Sequence, residues 1–391
     1  MCSLLVRDGR MQKGGMRMSK GAGKGLEGIA VAESAISSID GQKGTLRYRG
    51  IDIGELATNA SYEETAYLLW FGELPTGGQL TELRDKLAAS RELDESVWNM
   101  LLSFPCWPQP MEALRTAVSA LSSCDPYAGD ESREANINKA VYITAKMPTI
   151  VAHYHRHSTG QERVRSDPEL DHAANFLYML HGERPSDHDA ESMNKVMVLL
   201  AEHGMNASTF AGRVTGSTLS DMYSAITSAI GTLKGPLHGG ANQRAMEMLL
   251  EIGDASNAES FVSDALAAKR RIMGFGHRVY KTIDPRATQL REAVCTLDER
   301  EEDSKWCSLA LEVAESVASK KELYPNVDFY SAPLLYTLGI PLDLFTPVFA
   351  MSRIVGWTAH VMEQQENNRL IRPLSTYVGP EPRPYVPVGD R

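Results

Sequence analysis

Over most of the chain, apolar residues recur every three to four positions. That spacing predicts a helical protein. Amphipathic stretches fall near residues 79–89, 111–122, 134–157, 169–180 and 187–203, then near 208–214, 219–231, 239–251, 257–270, 285–298, 303–320, 328–337 and 342–363. An earlier one, SYEETAYLLWFG, opens with Ser61 and Glu64 in capping-box spacing and stops around Gly72 and Pro75. Extended character is confined to VAESAISSIDGQKGTLRYRGIDI, residues 31–53, where β-rich patches flank a turn at Asp40–Gly41. FPCWPQP, 104–110, reads as a rigid connector. No strand alternates with helices in a βαβ rhythm, and no internal repeat is visible. The expected fold is mainly α with a small β element near the N-terminus.

Bulk composition narrows the function classes. With 391 residues, 43% of them hydrophobic, the chain can fill a large core and more than one domain. A net charge of −10 argues against nucleic acid or an anionic membrane as partner, although a local arginine cluster can still gather an anion. The five cysteines, 2, 106, 124, 295 and 307, are odd in number and form no CxxC, which reads as reduced thiols in a cytoplasmic protein. No apolar run approaches the ~20 residues of a membrane span. Residues 1–24 are basic and glycine-rich without an apolar secretory core. They read as a flexible leader, or as a start placed too far upstream.

Three glycine- or proline-marked breaks interrupt the helices of the second half: KGPLHGG (234–240), MGFGHRVY (273–280) and YPNVDFYSAP (324–333). Each exposes one titratable residue at a helix boundary, where sites tend to form. Pro236 stiffens the first break. Its glycines admit unusual torsions or close ligand approach around His238, and free N–H groups of the next helix would favour a neutral imidazole. His277 stands between Gly276 and Arg278 in a stretch that lacks the spacing of a nucleotide fingerprint. Each histidine, taken alone, is equally an incidental corner residue. Asp328 reads alone as a helix N-cap, yet its apolar neighbours would raise its pKa and make it a better base.

The arginines change the picture. Arg353 lies mid-helix in the apolar FAMSRIVGW, and a buried arginine needs an anion. Arg286 begins a helix in DPRAT, and Arg372 lies in RLIRPLSTYVG. Either could also be a solvated surface residue. His203 ends a helix in AEHGMNAS. It could cap that helix as a cation or reach into a site near Asn206 and Ser208. HYHRH, 153–157, looks metal-like, since on a helix His153 and His157 share a face, but no HExxH occurs and no carboxylate stands at a ligand-like spacing, so it reads as surface or interface histidines. No metal site is expected.

Together EHGMNASTFAGRV, SAIGTLKGPLHGGAN, MGFGHRVYKTIDPRA, NVDFYSA, FAMSRIVGW and RLIRPLSTYVG resemble the citrate synthase family, in order, over about residues 24–380. KGLEGIAVAESAISSIDGQKGTLRYRGIDIGELA is similar to the shorter bacterial and archaeal type. The resemblance implies a large helical domain (25–233 and 337–391) and a smaller helical domain (234–336) that closes over the substrates. It implies a homodimer acting on oxaloacetate, with an acetyl-coenzyme A thioester as co-substrate and no tightly bound cofactor. By motif, His238 would bond the thioester oxygen, His277 the ketone of oxaloacetate, and Asp328 would be the base. His203, Arg286 and Arg353 would hold oxaloacetate, Arg372 would come from the other subunit, and Arg271, Arg278 and Lys281 would lie near coenzyme A. The 2-methylcitrate synthases share these motifs but use propionyl-CoA. A non-catalytic coenzyme A-binding homologue would have lost one of His238, His277 or Asp328, and all three are present.

Overall fold

The computed structural model describes residues 24–26, 28–104, 109–299 and 305–391. Outside these lie the leader up to residue 23, Cys2, Cys106, most of the 104–110 connector and the start of the expected 303–320 helix. Two compact units are present. The first ends at Ala35, and its described residues hold a 3-10 turn at Lys24–Leu26 followed by irregular, exposed chain from 28 to 35.

The second unit, Ile36–Arg391, opens with a three-stranded antiparallel sheet: β1 (Ser37–Asp40), β2 (Thr45–Tyr48) and β3 (Ile51–Asp52). Ile39 pairs with Leu46 and Ser37 with Tyr48. The hairpin turns because the Asp40 carboxylate accepts the N–H groups of Gln42 and Lys43, each at 3.0 Å. At Gly41 a Cβ would lie 2.2 Å from the Val279 carbonyl oxygen, so only glycine lets the hairpin sit on the loop after His277. The sheet is shorter than the 31–53 expected: residues 31–36 form no strand, and Asp52 ends β3 by capping the next helix.

Sixteen α-helices follow among the described residues. They are α1 (Ile53–Asn59), α2 (Tyr62–Phe71), α3 (Gly77–Ala89), α4 (Glu95–Leu102), α5 (Pro110–Leu121), α6 (Arg133–Ser158), α7 (His172–His181) and α8 (Asp187–Leu200). The second half adds α9 (Ala207–Gly216), α10 (Met222–Leu233), α11 (Ala241–Ile252), α12 (Ala258–Ala267), α13 (Pro285–Asp298), α14 (Trp306–Lys320), α15 (Val327–Thr337) and α16 (Phe345–Glu366). The anticipated helices form within a few residues of their expected bounds, and the Ser61–Glu64 capping box is present. The short α1 and α4 escape the periodicity, since two turns carry too few apolar repeats to register.

Helix α16 is the spine. It packs against α2, α6, α8, α9 and α10, and Val348, Met351, Ile354 and Val355 are wholly buried. Such burial stabilises by about 1.5–3 kcal/mol per large side chain. The Trp70 indole donates to Thr358 Oγ1 at 2.8 Å, and the Tyr62 hydroxyl lies 3.0 and 2.9 Å from the Met351 and Ser352 carbonyls. A spine this well held can carry Arg353 and His360 inside the protein. Around α15 a second set of helices, α11, α13 and α14, packs directly. Beyond α16 the chain runs irregular and exposed from 369 to the end, apart from Ile371 and a 3-10 turn at Val388–Asp390.

Two sequence readings need correction. Cys295 and Cys307 form a disulfide across 12 residues, because the end of α13 and the start of α14 bring their Cα atoms to 4.9 Å. Spacing alone could not show that approach. In the HYHRH run, His153 is a core residue. Its Nε2 lies 2.8 Å from the Val164 carbonyl, its ring meets Trp98 edge-on, and burial drives its pKa down to about 4. Among the described residues no helix is long and apolar enough to cross a membrane.

Candidate active site

The break after α10 is built around Gly239. Its N–H bonds the Leu233 carbonyl at 2.8 Å, and a Cβ there would lie 2.2 Å from that oxygen and 2.8 Å from the Thr346 methyl. Gly240 follows with φ of 73° as the N-cap of α11. The collar therefore fixes a reversal that no larger residue permits, and His238 rides on it. The Ser208 N–H points at His238 Nε2 from 3.2 Å, which makes Nε2 an acceptor and leaves the proton on Nδ1. Ser208 Oγ lies 2.8 Å from the same nitrogen, 2.7 Å from Asn206 Oδ1, and accepts the Trp357 indole N–H at 3.1 Å. Burial, then Arg353 and Arg278, push His238 down to about 4. These causes keep the imidazole neutral.

In the 273–280 break, Gly274 and Gly276 both have φ of 79°. A Cβ on Gly274 would sit 2.6 Å from that of Phe329, so this loop lies directly against the start of α15. His277 Nδ1 accepts the N–H groups of Val279 and Tyr280 at 3.0 and 3.2 Å. The ring proton is thus on Nε2. Burial and Arg286 push His277 down to about 4.

His203 lies beyond the end of α8 and does not cap it as a cation. It is buried, with its ring centroid 5.3 Å from that of His277 and Nε2 3.2 Å from the Tyr280 hydroxyl. Burial, followed by Arg286, His277 and Arg353, holds it well below the usual histidine range.

Asp328 stands in the first turn of α15, but the N-cap is Asn326, whose side chain accepts the Asp328 N–H at 2.9 Å and donates to the Gly276 carbonyl at 2.8 Å. Burial pushes the Asp328 carboxyl up to about 6, against the pull of Arg286, Arg353 and Arg244. Among the described residues its carboxylate accepts no hydrogen bond.

Both inner arginines are buried, at 1% exposure for Arg353 and 2% for Arg286. Arg353 donates Nε to the Leu200 carbonyl and lies over the Phe349 ring, yet makes no ion pair among the described residues. Burial lowers its pKa to about 10. Arg286 is clasped by Asp284, with Nε to Oδ1 at 3.0 Å and Nη2 to Oδ2 at 2.7 Å. Burial alone would lower Arg286, and the facing carboxylate more than offsets it.

These two guanidiniums tie the set together. Arg353 acts electrostatically on His203, His238 and Asp328, and Arg286 acts on His203, His277 and Asp328. A cavity of about 790 Å³ borders His238, Gly274, Gly276 and Asn326. Arg271 and Arg278 line it, as do Arg244, Lys269, Arg270 and Lys321, which the sequence reading missed. Arg244 alone carried a signal, standing one helical turn past Gly240, whose carbonyl it bonds at 3.1 Å. Lys281 borders a separate cavity of about 360 Å³ with His277, Tyr280 and Asp284. Arg372 is exposed on the C-terminal tail, and among the described residues no hydrogen bond or ion pair joins it to the cluster.

The arrangement pairs a carboxylate of raised proton affinity with two neutral imidazoles of defined tautomer, beside two buried guanidiniums suited to carboxylates. It can abstract a weakly acidic proton while donors meet the charge that develops.

The chain is similar to known proteins over most of its length. A family model described as citrate synthase, C-terminal domain, matches residues 25–374. A citrate synthase of Haloferax volcanii is 51% identical over 373 residues, covering 94% of this chain and 98% of that protein. A 2-methylcitrate synthase of Mycobacterium tuberculosis is 44% identical over 360 residues, covering 92% and 91%. The citrate synthase of Thermoplasma acidophilum, solved as a ternary complex with carboxymethyl coenzyme A and oxaloacetate, superposes with a TM-score of 0.87 at 34% identity, covering 94% of this chain and 99% of that one.

Proposed function

The chain belongs to the citrate synthase family, and from that premise we propose that it condenses acetyl-CoA with oxaloacetate and water to give citrate and coenzyme A. The observation that carries this reading is the set gathered around two buried arginines: the Asp328 carboxylate, which burial makes a better proton acceptor, and two imidazoles, His238 and His277, whose tautomers backbone N–H groups fix. Asp328 removes a methyl proton from the thioester. His238 donates Nδ1–H to the thioester oxygen as enolate charge develops there. The resulting enol carbon attacks the ketone carbon of oxaloacetate, and His277 donates Nε2–H to the oxygen that becomes the alkoxide. Water then cleaves the citryl thioester and releases coenzyme A.

His203, Arg286 and Arg353 hold the oxaloacetate carboxylates. The cationic cavity beside His238 receives coenzyme A through Arg271 and Arg278, and Lys281, on the neighbouring cavity beside His277, lies near the same ligand. Segment 234–336 closes as a smaller domain over the rest and keeps water out until the carbon–carbon bond exists. In this reading the enzyme is a cytoplasmic homodimer.

Replacing His277 by alanine tests the ketone assignment. The carbonyl stretch of bound oxaloacetate should move toward its free-solution value, and kcat should fall about 10²-fold. A stretch unchanged from wild type would remove His277 from that role.

A second reading, propionyl-CoA as the acyl donor, draws on the 44% identity to a 2-methylcitrate synthase. One methylene in an apolar pocket is worth ~1–3 kcal/mol. We expect kcat/KM for acetyl-CoA to exceed that for propionyl-CoA by about tenfold. The reverse order would make the chain a 2-methylcitrate synthase.

A further inference from the structure

Asp284 is 1% exposed, and the sequence reading gave it no role. Four donors converge on its carboxylate. Oδ1 accepts the Arg286 N–H and Nε–H, both at 3.0 Å. Oδ2 accepts Arg286 Nη2–H at 2.7 Å and the Val327 N–H at 3.3 Å. The first of these bonds caps α13. The last satisfies a free N–H in the first turn of α15, one residue before Asp328. One carboxylate thus grips the side chain of a buried arginine and joins the starts of two helices.

The geometry points to Asp284 as a positioning residue, which fixes the edge of the Arg286 guanidinium and aligns the first turn of α15 so that Arg286 and Asp328 keep one mutual arrangement. This inference rests on the proposed function, in which Arg286 holds substrate and Asp328 is the base. A buried arginine whose carboxylate partner is removed would turn toward other acceptors, and its fork would lose the orientation that bidentate binding requires.

The charge of Asp284 has a separate consequence. Asp328 is faced by Arg286 and Asp284 from the start of α13, by Arg353 from α16 and by Arg244 from α11. The three arginines pull its proton affinity down, and Asp284 pushes it up. Neutralising Asp284 removes that push and also unmasks the charge of Arg286. Both changes act in one direction, so the base would titrate at lower pH.

Asp284→Asn keeps the size and, with its oxygen toward the Arg286 N–H, the helix cap, while it removes the charge and turns one of the two accepting oxygens into a donor. We expect the KM for oxaloacetate to rise about tenfold while that for the acyl-CoA stays within about twofold. The acid limb of kcat/KM should move down by about half a pH unit or more. A merely structural defect would lower thermal stability without moving that limb. With an active wild type, an unmoved limb and an unchanged oxaloacetate KM overturn the role of Asp284 alone. A wild type that forms neither citrate nor 2-methylcitrate overturns the proposed function itself. If Asp284→Asn does not fold, Asp284→Glu decides. It retains the charge but displaces the carboxylate, so the limb should stay and the oxaloacetate KM should still rise. An unchanged KM in that variant is equally fatal.

Discussion

Asp328→Asn is expected to lower kcat about 10³-fold, within the range that a positioned base contributes. It should also stop exchange of the acetyl methyl hydrogens with solvent deuterium, while oxaloacetate still binds. The amide matches the carboxylate in shape but cannot accept the proton. The same group sets a pH limit in the wild type. A base must be ionised to act, and burial places this one at about 6. The rate should therefore fall with a slope of one proton as pH drops through about 6. His238 and His277, at about 4, remain neutral donors throughout that fall. A variant that retains near-normal exchange would show that another group takes the proton.

Mixing two inactive proteins, Arg372→Ala and Asp328→Asn, should restore activity. In the single chain Arg372 is exposed on the tail, while Arg353 and Arg286 lie buried with the cluster. Beside Arg372, Leu374, Tyr377 and Val378 are 88%, 77% and 91% exposed, an apolar strip suited to burial against a second copy. If each tail reaches the other subunit, a heterodimer holds one site with both defects and one with neither. Activity should then rise from near zero in proportion to the heterodimers formed. Subunit exchange confirmed by labelling, with no return of activity, would mean that Arg372 acts within its own chain or not at all.

The sequence by itself determined the helical class, most of the helices to within a few residues, and the three breaks that carry His238, His277 and Asp328. It could do so because these features are local. Amphipathic spacing reports a helix face, and glycine and proline report backbone torsions, without reference to distant residues. Arg353 could be singled out for the same reason, as a charge within an apolar run. Only the tertiary structure decided what depends on approach between segments far apart in the chain. Gly274 shows it against Phe329 and Ser208 against His238, and even across 12 residues the meeting of Cys295 with Cys307 depends on how α13 and α14 pack. His153 became a core residue through Trp98 and Val164, neither of which its own helix could announce. The protonation of the cluster is tertiary for the same physical reason. A pKa follows burial and the charges within a few ångströms, and those around Asp328 come from Arg244, Asp284, Arg286 and Arg353, on three separate helical segments that meet only in the folded chain.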